Sequence, residues 1–153
     1  MSSSSSSTSA PEIVCIAETM ALITPTDARL ADAAAATIGL AGAESNVAAG
    51  AASTGHRVAW ASRLGADPLG DRVATELEHR GVELWIDRDA TAPTGVMFKD
   101  PGAESSSVYY YRQGSAASRM EPGFLTTAQL QGVRIVHTTG ITPALSASCR
   151  EMV

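Results

Sequence analysis

Apolar positions recur along this chain in two rhythms. Residues 13–17 (Ile-Val-Cys-Ile-Ala) and 58–62 (Val-Ala-Trp-Ala-Ser) are short, nearly continuous apolar runs, the pattern of strands covered on both faces of a parallel sheet. Between them, residues 46–54 are mostly alanine with serine and valine, a small-residue helix able to lie close on a sheet, with Gly55 placed to end it. After the second run, Asp67 offers a side-chain acceptor at an N-cap and Pro68 sits at N1, where its missing N–H costs nothing. Leu69, Val73 and Leu77 follow at four-residue spacing, and Gly81 closes that helix. Strand, helix, strand, helix is the order of a doubly wound α/β sheet.

The rhythm then shortens. Residues 82–87, 94–100 and 107–113 are strand candidates separated by turns containing proline and glycine, and the last two read as a hairpin across Asp100-Pro101-Gly102 and the polar stretch to Ser107. They predict a small β lid beside the α/β core. The core pattern resumes at 133–139 and ends in Gly140. Thr142-Pro143 repeats the cap-and-proline arrangement, and Leu145, Cys149 and Met152 form a helical stripe. The chain ends inside that stripe, which leaves a βαβ unit open and predicts part of a larger domain; a short protein closed by a docked helix is the alternative. The expected organisation is one unit over 12–153, preceded by a serine-rich leader over 1–11 without the charged and apolar regions of a secretory signal, expected to be disordered.

Composition narrows the function classes. Hydrophobic residues make up 44% and charged residues 18% of 153, enough for one real core. Eleven Lys plus Arg against sixteen Asp plus Glu give a formal charge of −5, and Lys99 is the single lysine, which argues against a nucleic-acid surface. No run is long and apolar enough to span a bilayer. Cys15 and Cys149 are far apart, without CxxC spacing or a neighbouring histidine, and read as buried thiols of a reduced, cytoplasmic protein. His56, His79 and His137 are isolated and suggest neither a metal site nor a triad.

Three segments bear on chemistry. Gly42, Ala43, Glu44, Ser45 and Asn46 run into a helix, where a glycine admits close approach of a ligand and the first-turn N–H groups and the Asn46 amide can bond hydroxyls or a carbonyl; a turn and cap explain the same residues. In 108–118, Tyr110 and Arg112 share one strand face and Tyr109 and Tyr111 the other. An arginine fork suits a carboxylate or phosphate, although an exposed aromatic strand with a snorkelling arginine has the same sequence. Residues 63–70 are fully accounted for as loop and cap.

Together these segments resemble the PfkB, or ribokinase-like, carbohydrate kinases. Ala17-Glu18 is similar to the family's strand ending in Gly-Glu or Gly-Asp, with alanine in place of glycine. Asn46, Ala48, Gly55 and Gly65 match the spacing of its N-terminal signature, residues 64–70 its Gly-x-Asp-x-x-Gly stretch, and Pro93-Thr94-Gly95 the opening of a lid strand. Residues 110–118 resemble the Tyr-Tyr-Arg-x-Gly-Ser-Ala stretch of 2-keto-3-deoxygluconate kinases, and 137–145 their central strand and turn. The resemblance implies a ribokinase-like α/β core with a β lid and the C-terminal half missing, and ATP- and Mg²⁺-dependent phosphorylation of a sugar acid. It implies that Gly42 to Asn46 line the sugar site, that Tyr110, Tyr111 and Arg112 reach it from the lid, and that Arg112 pairs with the acid. Met97 stands where some relatives carry a tyrosine, so that contact is expected to be apolar or to serve lid packing. No Asp-Thr-x-Gly-Ala-Gly-Asp run is present; the base and ATP loops are therefore expected outside this chain, which alone should be inactive. A fructokinase or ribokinase is the second enzyme reading, and a non-catalytic sugar-acid-binding module the reading of another class. Tyr109, facing outward, is the expected centre of a lid contact between copies.

Overall fold

In a computed structural model that describes residues 10–153, the chain forms two four-stranded sheets and four α-helices. The core sheet contains β1 (Ile13–Ile16), β4 (Val58–Gly65), β5 (Glu83–Asp89) and β8 (Ile135–His137), in the order β5-β4-β1-β8 and parallel throughout. The second sheet contains β2 (Met20–Pro25), β3 (Ala36–Ala41), β6 (Val96–Asp100) and β7 (Ser107–Tyr111), in the order β3-β2-β6-β7. Its outer pairs are antiparallel and its central pair, β2 with β6, is parallel.

Side chains alternate across the core sheet. Val58, Trp60 and Leu64 of β4 face α1 (Ala43–Ser53) and α2 (Pro68–His79), where they pack with Cys15, Ala48, Val73 and Leu77. Ala59 and Ala61 face the other way, with Val14, against Phe124, Leu125, Leu130 and Val133. Both faces are covered, which is why these strands read as continuous apolar runs. The predicted caps are present. The Asp67 carboxylate accepts from Gly70 N at 2.8 Å at the head of α2, and Gly55 and Gly81 adopt φ of +90° and +78° after the two helices. Cys15 and Cys149 are free and fully buried, and burial, with the Glu44 charge second, pushes the Cys15 thiol up to about 11.

The structure corrects four expectations. Residues 82–87 are not lid: Val82 is buried in the core and residues 83–87 lie in β5, paired in parallel with β4 from Ala59 opposite Glu83 to Gly65 opposite Asp89. Leu84 and Ile86 pack on the α2 side and Trp85 on the other, so α2 is the crossover that returns this strand to the core sheet. Two lid strands, β2 and β3, were not anticipated. The helix expected at 46 starts at Ala43, because Gly42 serves as N-cap with extended backbone. Thr142-Pro143 does not start a helix: α3 (Ile141–Leu145) begins after Gly140, the Thr142 hydroxyl donates to the Ile16 carbonyl at 3.1 Å, and Ser146 caps a separate α4 (Ala147–Met152). Most of the expected serine-rich leader, residues 1–9, lies outside the described residues, while Pro11 is already buried.

Candidate functional site

The chain passes between the two sheets at four places: 17–19 leaves β1 for the lid, Gly42 returns to α1, 90–95 leads from β5 into β6, and 112–115 returns from β7. These crossings converge at the C-terminal end of β1, the edge of an open α/β sheet where ligands bind. Glycine is required at two of them. A Cβ on Gly42 would lie 2.6 Å from Thr19 Oγ1 and 3.0 Å from the Glu18 carbonyl, and one on Gly95 would lie 2.7 Å from Glu18 Oε1. Gly65 is equally constrained: a Cβ there would meet Asp67 Oδ2 at 2.0 Å. Asp67 Oδ2 also accepts from Thr94 N at 2.8 Å, and Thr94 Oγ1 accepts from Gly65 N at 3.0 Å. Residues 64–70 thus hold the start of β6 in place, a structural role as expected.

Above this junction lies a cavity of about 430 Å³ between the lid and the head of α1. Gly42, Ala43, Glu44 and Asn46 border it from the helix, and Met97, Tyr110 and Arg112 from the lid. Met20, Leu22, Leu40 and Val108 provide apolar wall. The Asn46 side chain is exposed and carries no hydrogen bond among the described residues. Arg112, after β7, is 23% exposed, with its guanidinium carbon 5.8 Å from the Tyr110 ring centroid, within cation–π reach. Its Nε lies 2.6 Å from Glu18 Oε2, an ion pair whose bent geometry is not that of an aligned hydrogen bond. Glu18 Oε1 accepts from the Ser115 hydroxyl at 2.5 Å. Burial pushes the Glu18 carboxyl above the usual carboxylate range, against the opposite pull of Ser115 and Arg112.

Two of the nine expected residues stand apart from the cavity. Ser45 is buried and donates its hydroxyl to the Gly42 carbonyl at 3.2 Å, closing the first helical turn. Tyr111 points to the opposite face of the lid, edge-on to Phe98 with centroids 5.5 Å apart. Strand alternation already separated it from Tyr110 and Arg112, and the resemblance overrode that geometry. Glu44 borders the cavity, but its Oε1 accepts from Thr139 N at 2.9 Å and Thr139 Oγ1 at 2.6 Å, pinning the 138–142 turn.

Eight bordering residues are not among the nine expected: the apolar wall with Ala41, and Glu18, Lys99 and Ile141, of which Glu18 was legible as a carboxylate ending the first strand, at the edge where ligands bind. Lys99 is two residues after Met97 on the same strand face and makes no ion pair among the described residues; that spacing was a usable signal. A second cavity of about 500 Å³ adjoins the first through Tyr110, Arg112 and Ile141 and continues along Gly140 and Leu145. Nothing local in the sequence announced it.

Comparison with known proteins agrees with this architecture. Residues 10–153 match the model of the pfkB family carbohydrate kinases. The chain is 37% identical over 143 residues to a 2-dehydro-3-deoxygalactonokinase of Haloferax volcanii, covering 92% of this chain and 45% of the relative. It is 41% identical over 116 residues to a 2-dehydro-3-deoxygluconokinase of Bacillus subtilis, covering 74% of this chain and 36% of the relative. The crystal structure of a PfkB protein from Polaromonas sp. JS666 superposes with a TM-score of 0.88 at 37% identity, over 93% of this chain and 49% of that one. The chain therefore spans under half the length of these relatives, and its two sheets are the core and lid of a ribokinase-like fold. It belongs to the pfkB family of carbohydrate kinases.

Proposed function

We propose that the protein carrying this chain phosphorylates a sugar acid, 2-keto-3-deoxygluconate to its 6-phosphate, and that these residues supply the sugar-binding part. One observation carries the reading: Arg112 from the lid and the Gly42–Asn46 turn from α1 border the same cavity. The Asn46 amide and the first-turn N–H groups offer donors to hydroxyls or the keto oxygen. Met20, Leu22, Leu40 and Met97 meet the carbon chain and exclude water, and the outer edge of the Arg112 guanidinium meets the carboxylate. Lys99 adds a second cation on the same wall. The names of the relatives above support the substrate class.

ATP with Mg²⁺ supplies the phosphoryl group in this reading. We assign the base and the nucleotide loops to residues outside this chain, and expect the 153 residues alone to have no kinase activity. We also assign the outer lid face, with Tyr109 46% exposed, to a contact between copies.

Turnover assays with ATP test the reading. The protein is expected to phosphorylate 2-keto-3-deoxygluconate or its galactonate epimer in preference to fructose and ribose. Arg112→Ala is expected to lower kcat/KM for the acid by about 10- to 100-fold, the scale of a lost charged hydrogen bond, with a smaller effect on a neutral sugar. Preference for fructose or ribose would establish the second enzyme reading instead.

A further inference from the structure

Glu18 touches every other crossing between core and lid. Its carbonyl lies under Gly42, its Oε1 takes the Ser115 hydroxyl and lies where a side chain at Gly95 would be, and its Oε2 faces Arg112 Nε. The carboxylate is 1% exposed; its Oε1 accepts from Ser115 and its Oε2, which accepts no hydrogen bond among the described residues, has the Arg112 guanidinium as its ion-pair partner, so it is turned to the protein and not to solvent. A buried charge is costly unless it is paired, and here the pairing uses a group that belongs to the cavity. Arg112 approaches Glu18 most closely through its Nε, while no hydrogen bond among the described residues engages Nη1 or Nη2.

We infer that Glu18 is the positioning residue for Arg112: clamped where the four crossings meet, it holds the guanidinium by Nε so that the Nη1–Nη2 edge is offered to the ligand's carboxylate. This rests on the sugar-acid reading above. A long side chain such as arginine otherwise loses rotamer freedom when it binds, and prior orientation removes that cost. Ser115 completes the device by fixing the far oxygen of Glu18, and the small Gly95 leaves room for the carboxylate. The opposite role, a counter-ion that merely neutralises Arg112, predicts the reverse effect on affinity, because removing its charge would leave the cavity more positive.

Two measurements on the full-length protein separate these outcomes. By calorimetry with 2-keto-3-deoxygluconate, Glu18→Gln is expected to bind roughly tenfold more weakly, as a loosened supporting shell does, with Ser115→Ala shifted in the same direction and Glu18→Asp intermediate. Affinity for a neutral hexose is expected to change less. Binding by Glu18→Gln equal to or tighter than that of the unsubstituted protein would overturn the assignment. Nitrogen relaxation at Arg112 Nε without ligand is the second readout: the order parameter is expected to be high in the unsubstituted protein and to fall in Glu18→Gln, or in Ser115→Ala if the first variant fails to fold. An unchanged order parameter would overturn the inference. Should the unsubstituted protein bind the neutral sugar better than the acid, the sugar-acid reading fails, and the relaxation result alone decides whether Glu18 orients Arg112.

Discussion

Burial and pairing act in opposite directions on Glu18, and burial is the larger. A carboxyl whose folded-state pKa lies above its unfolded value, about 4.3 for glutamate, binds protons more tightly when folded. Its contribution to stability is fully present below that unfolded value and is lost as pH rises through the folded one. The groups acting on it are the Ser115 hydroxyl and the Arg112 guanidinium. Thermal melts of the unsubstituted protein and Glu18→Gln across pH 4 to 8 should therefore show the unsubstituted protein losing ground as pH rises. A gap that widens in its favour would mean that the ion pair outweighs burial. Asp89 behaves oppositely: N–H and hydroxyl donors from Thr91, with Arg119 and Arg63 nearby, hold it below the usual range. Its stabilisation is present above about pH 3.9 and lost in acid. Stability and ligand orientation thus place different demands on Glu18, the pattern expected of a side chain kept for function.

At the scale of elements, the lid is held to the core by short polar clamps as well as by apolar contact. Asp67 illustrates this, capping α2 through Gly70 N and receiving Thr94 N from the strand that enters the lid. Burial opposes ionisation of this carboxyl, but the donors of Thr94 and Gly70 prevail and keep its pKa low. Replacing it by alanine removes a cap, worth about 1 kcal/mol, and leaves Thr94 N without its acceptor, worth a further 1 kcal/mol or so. Asp67→Ala is expected to lower denaturant-measured stability by about 2 kcal/mol, and Asp67→Asn by less, because the amide oxygen still accepts. Equal losses in both variants would show that the carboxylate's charge matters more than its acceptor geometry. The cap was visible as Asp-Pro before a helical stripe, whereas the bond to Thr94, 27 residues away, was not.

Across the whole molecule, the lid sheet presents two unlike faces. The inner face carries Met97, Lys99, Tyr110 and Arg112 toward the cavity, and the outer face carries Phe98, Tyr109 and Tyr111 around a shallow depression with Leu30 and Ala31. Tyr109 and Tyr111 are 46% and 67% exposed, an aromatic density found at interface cores. If copies meet through this face, Tyr109→Glu with Tyr111→Glu in the full-length protein should shift sedimentation from oligomer to monomer while ligand affinity is retained. A monomeric unsubstituted protein would remove that proposal.

The sequence by itself determined whatever local chemistry could express. The double-sided burial of β1 and β4 appeared as continuous apolar runs, the start of α2 appeared as a capping position, the C-terminal ends of α1 and α2 appeared as left-handed glycine positions, and the two faces of β7 appeared as alternation. Tertiary structure alone decided the strands whose place depends on distant partners. β5 has the short, polar-tipped pattern of a lid strand and became core because α2 returns it beside β4. β2 and β3 carry too weak a pattern to stand out, and their pairing with each other and with β6 makes them strands. The site divides in the same way: Arg112 and Asn46 were legible as residue types at telling positions. Glu18 was legible as a carboxylate at the end of β1, but its contact with Ser115, 97 residues along the chain, was not, because no periodicity in a sequence records a contact made across that separation.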